Sequence, residues 1–105
     1  MATAELISVM VDRIVKRFQP NCVILFGSQA RGDTNESSDV DLMVVLNHIP
    51  NKHRTTVEIL RSLRDVPVSK DIIAVTPGEI EREGDVVGTI AYEALREGKI
   101  VYEKG

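Results

Sequence analysis

The chain is poor in several things. Among its 105 residues there is one cysteine, no tryptophan, two phenylalanines and two tyrosines. The lone thiol, Cys22, excludes an internal disulfide and suits a reducing compartment. No apolar run approaches the ~20 residues that a membrane-spanning helix needs. The start, Met1-Ala2-Thr3-Ala4-Glu5, lacks the basic segment of a secretory leader, so a cytoplasmic location is expected. The formal net charge of −3 argues against a broad surface for nucleic acid. His48 and His53 have no third nitrogen or sulfur ligand near them in the chain, which excludes an obvious zinc site. No repeat, low-complexity tract or linker divides the sequence, and one domain over residues 1–105 is expected.

What is present is concentrated in one stretch. Val23-Ile24-Leu25-Phe26 is an apolar run that reads as a buried strand, and Gly27-Ser28 ends it. A polar segment follows, and a second strand opens with Asp39-Val40-Asp41-Leu42. Alternation along a strand puts Asp39 and Asp41 on one face, with Cα atoms about 6.5–7 Å apart. Two like charges opening an apolar strand are costly unless a cation resolves them. Carboxylates at that span can lean onto one divalent ion, or onto a pair ~3.5–4 Å apart. Gly27 permits a sharp bend and close approach of a ligand. If Ser28 opens a helical turn through Gln29-Ala30-Arg31, its N–H groups suit a phosphate, and Arg31 can add a planar guanidinium. Acids for a metal facing donors for phosphate suggest a site for a nucleoside triphosphate with Mg²⁺. An Asx turn would explain Asp39 by itself, but not its joint spacing with Asp41, Gly27 and Ser28.

Gly27-Ser28, ten intervening residues, then Asp39-Val40-Asp41-Leu42 resembles the signature of the nucleotidyltransferase superfamily related to DNA polymerase β. The fuller string, Gly-Ser-x-Ala-Arg-Gly with Ser-Asp-x-Asp-Leu, resembles its minimal MNT-domain branch. Many members of that branch are antitoxins of HEPN-domain ribonuclease toxins. The resemblance implies an α/β (α+β) fold, with a small mixed sheet covered by helices. It implies an adenylyltransferase moving AMP from ATP to a hydroxyl, most naturally a tyrosine of a partner HEPN toxin. It also implies two Mg²⁺ ions, with Asp39, Asp41 and a third carboxylate as ligands and catalytic groups. Asp71 is the position that matches the third acid, with the role of general base. Gly27, Ser28 and Arg31 would bind the nucleotide. The chain shows no extra domain for a small acceptor, which favours a protein acceptor. Two alternatives stand beside this reading: a transferase acting on a small molecule such as an aminoglycoside, and a non-catalytic module that neutralises a toxin by occupancy.

The rest of the chain supplies the frame. Thr3 to Phe18 reads as an amphipathic helix capped by Thr3, with Ile7, Met10, Val11, Ile14, Val15 and Phe18 inward. Cys22 to Phe26 and Val40 to Leu46 are strands; Val40, Leu42, Val44 and Leu46 face one way, Met43 and Val45 the other. Cys22 reads as a small core residue. Asn51 caps a helix to about Asp65, with Val57, Leu60 and Leu63 inward and a basic outer face of Lys52, Arg54, Arg61 and Arg64. That face reads first as solvated and second as a partner-binding patch. Val66 to Val75 is a third strand beginning near Pro67. Thr76-Pro77-Gly78-Glu79 is a capping-box helix start. A further helix buries Val86, Val87, Ile90, Ala91, Ala94 and Leu95 and ends at Gly98 as C′, before a last strand at Ile100-Val101-Tyr102. Tyr92 and Tyr102 are expected to pack; Asp33, Asn35 and Glu36 are expected to be solvated, and Ser38 to orient the aspartate loop.

Overall fold

In a computed structural model that describes residues 3–32 and 39–104, the elements run α1 (Thr3–Phe18), β1 (Cys22–Phe26), α2 (Ser28–Arg31), β2 (Val40–Val45), α3 (Lys52–Ser62), β3 (Lys70–Val75), α4 (Pro77–Glu83), α5 (Ile90–Glu97) and β4 (Lys99–Glu103). The expectations for Asp33, Asn35, Glu36 and Ser38 fall outside the described residues.

The four strands form one mixed sheet in the order β3-β2-β1-β4. β1 is antiparallel to both neighbours, whereas β2 and β3 are parallel. Parallel neighbours need a long crossover, and α3 supplies it. The unbroken apolar run of β1 fits its interior place, since both of its faces are covered.

Alternation along β1 and β2 divides the core in two. Val23, Leu25, Val40, Leu42, Val44 and Leu46 join Leu6, Met10 and Ile14 of α1 and Ile59 and Leu63 of the α3 region. Ile24, Phe26, Met43 and Val45 join Val75 and Ala94, with Cys22 and Ile80 packed against them. So α1 and α3 cover one face, and α4 and α5 the other.

The sequence expectations need five adjustments. The buried ridge of α1 is Leu6, Met10 and Ile14, while Ile7, Val11, Val15 and Phe18 are half-buried flanks. Thr3 is already helical, so it does not stand outside the helix as its cap. In α3 the buried residue is Ile59, and the helix stops at Ser62, short of Asp65. β3 starts at Lys70, because the amides of Val66 and Val68 turn back to Leu63 and Val66 carbonyls and Pro67 has no N–H to give a ladder. Finally, α5 starts only at Ile90: Thr89 caps it by accepting from the Tyr92 amide. Val86 and Val87 therefore lie ahead of the helix, and with Ile90 and Leu95 they stay exposed, Val87 at 78%. Only Ala91 and Ala94 of that stripe are buried.

The capping box of α4 is complete. Thr76 Oγ1 accepts from the Glu79 amide, and the Glu79 carboxylate accepts from the Thr76 amide. α1 and α3 are tied by Arg13, which pairs with Asp65 and donates to the Ser62 carbonyl at 3.0 Å.

Candidate active site

Among the described residues, Gly27, Ser28, Asp39, Asp41 and Asp71 lie at one end of the sheet. β1 runs toward that end and β2 and β3 start from it, so Phe26, Asp41 and Asp71 lie side by side: Phe26 is paired with Asp41, and Asp41 with Asp71. Register partners in a sheet point to the same face. The third expected acid thus comes to the first pair through strand pairing alone. Asp39 stands just ahead of β2, one alternation before Asp41.

Gly27 makes the junction possible. Its φ of 74° and ψ of −155° belong to a region held essentially by glycine. A Cβ there would overlap Oδ2 of Asp41. The backbone bend and the carboxylate therefore share one space, and no other residue type fits. After Gly27 the chain makes the single turn α2. The amides of Ala30 and Arg31 both donate to the Gly27 carbonyl at 3.2 Å, so those two N–H groups are spent inside the turn. Gly32 closes it in the left-handed conformation.

The charges explain one another. Asp41 is half-buried, and its carboxyl is pushed above its ordinary value, first by burial and then by repulsion from Asp71, Asp39 and Glu93; Arg31 opposes the shift. Asp39 and Asp71 are exposed. Arg31 does reach this corner, yet it is held by α5: its Nη1 lies 3.1 Å from Glu97 and 4.0 Å from Glu93. Sequence reasoning missed those two acids. Their spacing of one helical turn was visible, but nothing local linked α5 to a turn so far upstream. Cys22 behaves as expected of a packed thiol; burial and then Glu103 push its pKa up, away from reactivity.

The donor set suits a hard divalent cation. Asp39, Asp41 and Asp71 offer oxygen only, and Mg²⁺ takes one or two carboxylates and completes its shell with water and phosphate oxygens. Among the described residues no group of three or more His, Cys, Asp or Glu side chains is placed to hold a metal ion, so the three carboxylates do not converge on one ion as they stand. Asp41 is repelled by Asp71 and Asp39.

Comparison with known proteins gives a consistent result. Residues 10–105 match the sequence pattern of the family described as "Polymerase beta, Nucleotidyltransferase". A protein of Methanocaldococcus jannaschii named "Putative protein adenylyltransferase MJ1305" is 34% identical over 64 residues, which is 51% of this chain and 44% of that protein. The chain thus spans less than half the length of that relative. A crystal structure of a nucleotidyltransferase from Sulfolobus solfataricus, itself described as putative, superposes with a TM-score of 0.68 at 22% identity, covering 95% of this chain and 79% of the other. A toxin–antitoxin crystallised with AMP-PNP superposes with a TM-score of 0.57 at 14% identity, over 91% and 73% of the two chains. At such identities the two superpositions speak for the fold.

Proposed function

Because the chain belongs to the polymerase β nucleotidyltransferase family, we propose that it moves AMP from ATP to a hydroxyl. The acceptor we propose is a tyrosine of a HEPN ribonuclease toxin, and modification there makes the chain an antitoxin. One observation carries the reading: Asp41 and Asp71 are register partners, and Asp41 occupies the space that Gly27 leaves. The name of the Methanocaldococcus relative supports protein adenylylation, and the toxin–antitoxin neighbour with AMP-PNP supports both nucleotide and partner. We take residues 1–105 as one catalytic domain and place the reaction in the cytoplasm.

The triphosphate lies over the Gly27-Ser28 bend. Asp39, Asp41 and Asp71 would hold one or two Mg²⁺ ions. When bound, these ions supply neutralisation of the charge on the phosphates and on the departing pyrophosphate. Asp71, the more exposed of the register pair, accepts the proton of the acceptor hydroxyl. The acceptor oxygen forms a bond to the α-phosphorus, the bond from that phosphorus to the bridging oxygen breaks, and pyrophosphate leaves. Arg31 can turn from Glu97 to the phosphates, since that pair is half-exposed and weak.

Incubation with α-labelled ATP and the co-expressed toxin tests the reading. Asp41→Asn is expected to abolish labelling while the circular dichroism spectrum stays native; equal labelling would reject the assignment. The toxin–antitoxin neighbour also supports neutralisation by occupancy. Cells expressing toxin with the triple alanine variant of Asp39, Asp41 and Asp71 separate the two: no rescue is expected, and full rescue would mean that binding alone suffices.

A further inference from the structure

Arg31 is the last residue of α2, and the Gly27 bend sets its place, since its amide donates to the Gly27 carbonyl. Its guanidinium reaches across to α5. Nη1 donates to Glu97 Oε2 at 3.1 Å and lies 4.0 Å from Glu93 Oε1. The same corner holds Asp41, whose carboxyl feels both sides of this contact: Glu93 raises its pKa and Arg31 lowers it. Arg31 thus faces acids of two elements, α5 and β2.

Glu93 and Glu97 are poorly placed for α5 itself. They sit at i and i+4, where like charges repel across one turn. Glu97 is the last residue of the helix, the end at which the dipole favours a cation. Yet that end is held firmly. A Cβ on Gly98 would come within 2.6 Å of Ile24 Cγ2 and 3.1 Å of the Leu25 carbonyl oxygen. Lys99 then pairs with Leu25, so the last turn of α5 is fixed beside the end of β1. Two acids that weaken their own helix are carried on a fixed element, at a place where they meet Arg31.

We propose that Glu97, supported by Glu93, is a positioning residue that competes with the phosphates of ATP for Arg31 and so sets the affinity for nucleotide. The proposal rests on the reading of Arg31 as a phosphate ligand. A phosphate that takes Nη1 displaces Glu97 from it. The apparent affinity is then reduced by the fraction of time that Arg31 spends on α5. Arg31 and Glu97 are both partly exposed, so the pair is weak and exchanges readily. A weak competitor tunes the affinity without closing the site.

Titration calorimetry with Mg²⁺ and α,β-methylene-ATP, which cannot release pyrophosphate, tests this without an acceptor. Glu97→Gln is expected to lower the dissociation constant about two- to fivefold, the range of an exposed ion pair. Arg31→Gln is expected to raise it. The double variant should bind as Arg31→Gln does, because without the guanidinium Glu97 has nothing to withhold. Thermal melts of the three variants show that each is folded. A Glu97→Gln chain that binds no tighter than the wild type overturns the proposal and leaves the pair as a tie between α2 and α5. Equal tightening with and without Arg31 also overturns it, as a general effect of charge. A wild type that binds no analogue at all would instead reject the transferase reading, and this proposal with it.

Discussion

Asp41 holds its proton more tightly in the folded chain than in the unfolded one, because burial and three acidic neighbours raise its pKa from an ordinary 3.8. The sign of the consequence is fixed by linkage. A carboxyl with a raised folded pKa contributes stability below its unfolded pKa, and that contribution is lost as pH rises through the folded value. At neutral pH the ionised Asp41 therefore costs stability. Asp65, held low by Arg13, and Glu79, held low by Lys52, act the other way: their contributions are present above the ordinary carboxylate value and are lost as pH falls. A comparison of Asp41→Asn with the wild type cancels both of those, since both proteins carry them. The variant is expected to melt roughly 1–4 °C higher at pH 7, a small effect because solvent screens a partly exposed group. The gap should close below the ordinary carboxylate range. A variant that melts lower at pH 7 would mean that Asp41 is stabilised by its surroundings. At this scale the sequence was most informative. Spacing set Gly27 and Ser28 at the end of β1 and Asp39 and Asp41 at the start of β2, and those two strands pair. Glu93 and Glu97 were not legible, because their link to Arg31 exists only once α5 has packed on the sheet.

Elements were legible where a local rule decides them. Thr76, Pro77 and Glu79 carry their own start signal, and α4 forms as that signal requires. The start of α5 was misread because Val86 and Val87 continue an apolar pattern, whereas the hydrogen bond from the Tyr92 amide to Thr89 sets the boundary. Gly98 shows the same limit. It follows α5 where a left-handed cap was expected, but its φ of −78° and ψ of 163° are extended backbone open to any residue. Glycine is there for room: a Cβ would overlap the Ala94 carbonyl oxygen and come within 2.6 Å of Ile24 Cγ2 on β1. Gly98→Ala should thus wedge α5 off the sheet and cost ~1–3 kcal/mol, the usual range for overpacking. Urea unfolding would measure it. A neutral result would show that the chain after α5 shifts freely.

The described residues form one sheet with two half-cores, and consecutive residues of β2 serve both. Leu42 and Met43 are each fully buried, on opposite faces. Truncating either to alanine should cost ~2–5 kcal/mol, against a usual total near 5–15. Because both half-cores hang on the same strands, each variant should lower the urea midpoint without changing the slope, and fluorescence and circular dichroism should agree. Probes that separate would mean that the α4–α5 side unfolds by itself. Two covered faces were readable from the unbroken apolar run of β1, and the fold class from the family resemblance. The strand order was not, because nothing local specifies that β4 returns to the far side of β1.

The pairing of Asp41 with Asp71 has a consequence during synthesis. The ribosome delivers the first acid well before the second, and the whole crossover helix must emerge between them. A nascent chain holding only the first two strands has one half of the pair and nothing to set beside it. The register pair of acids is therefore completed only when β3 docks onto β2, after the crossover helix has formed.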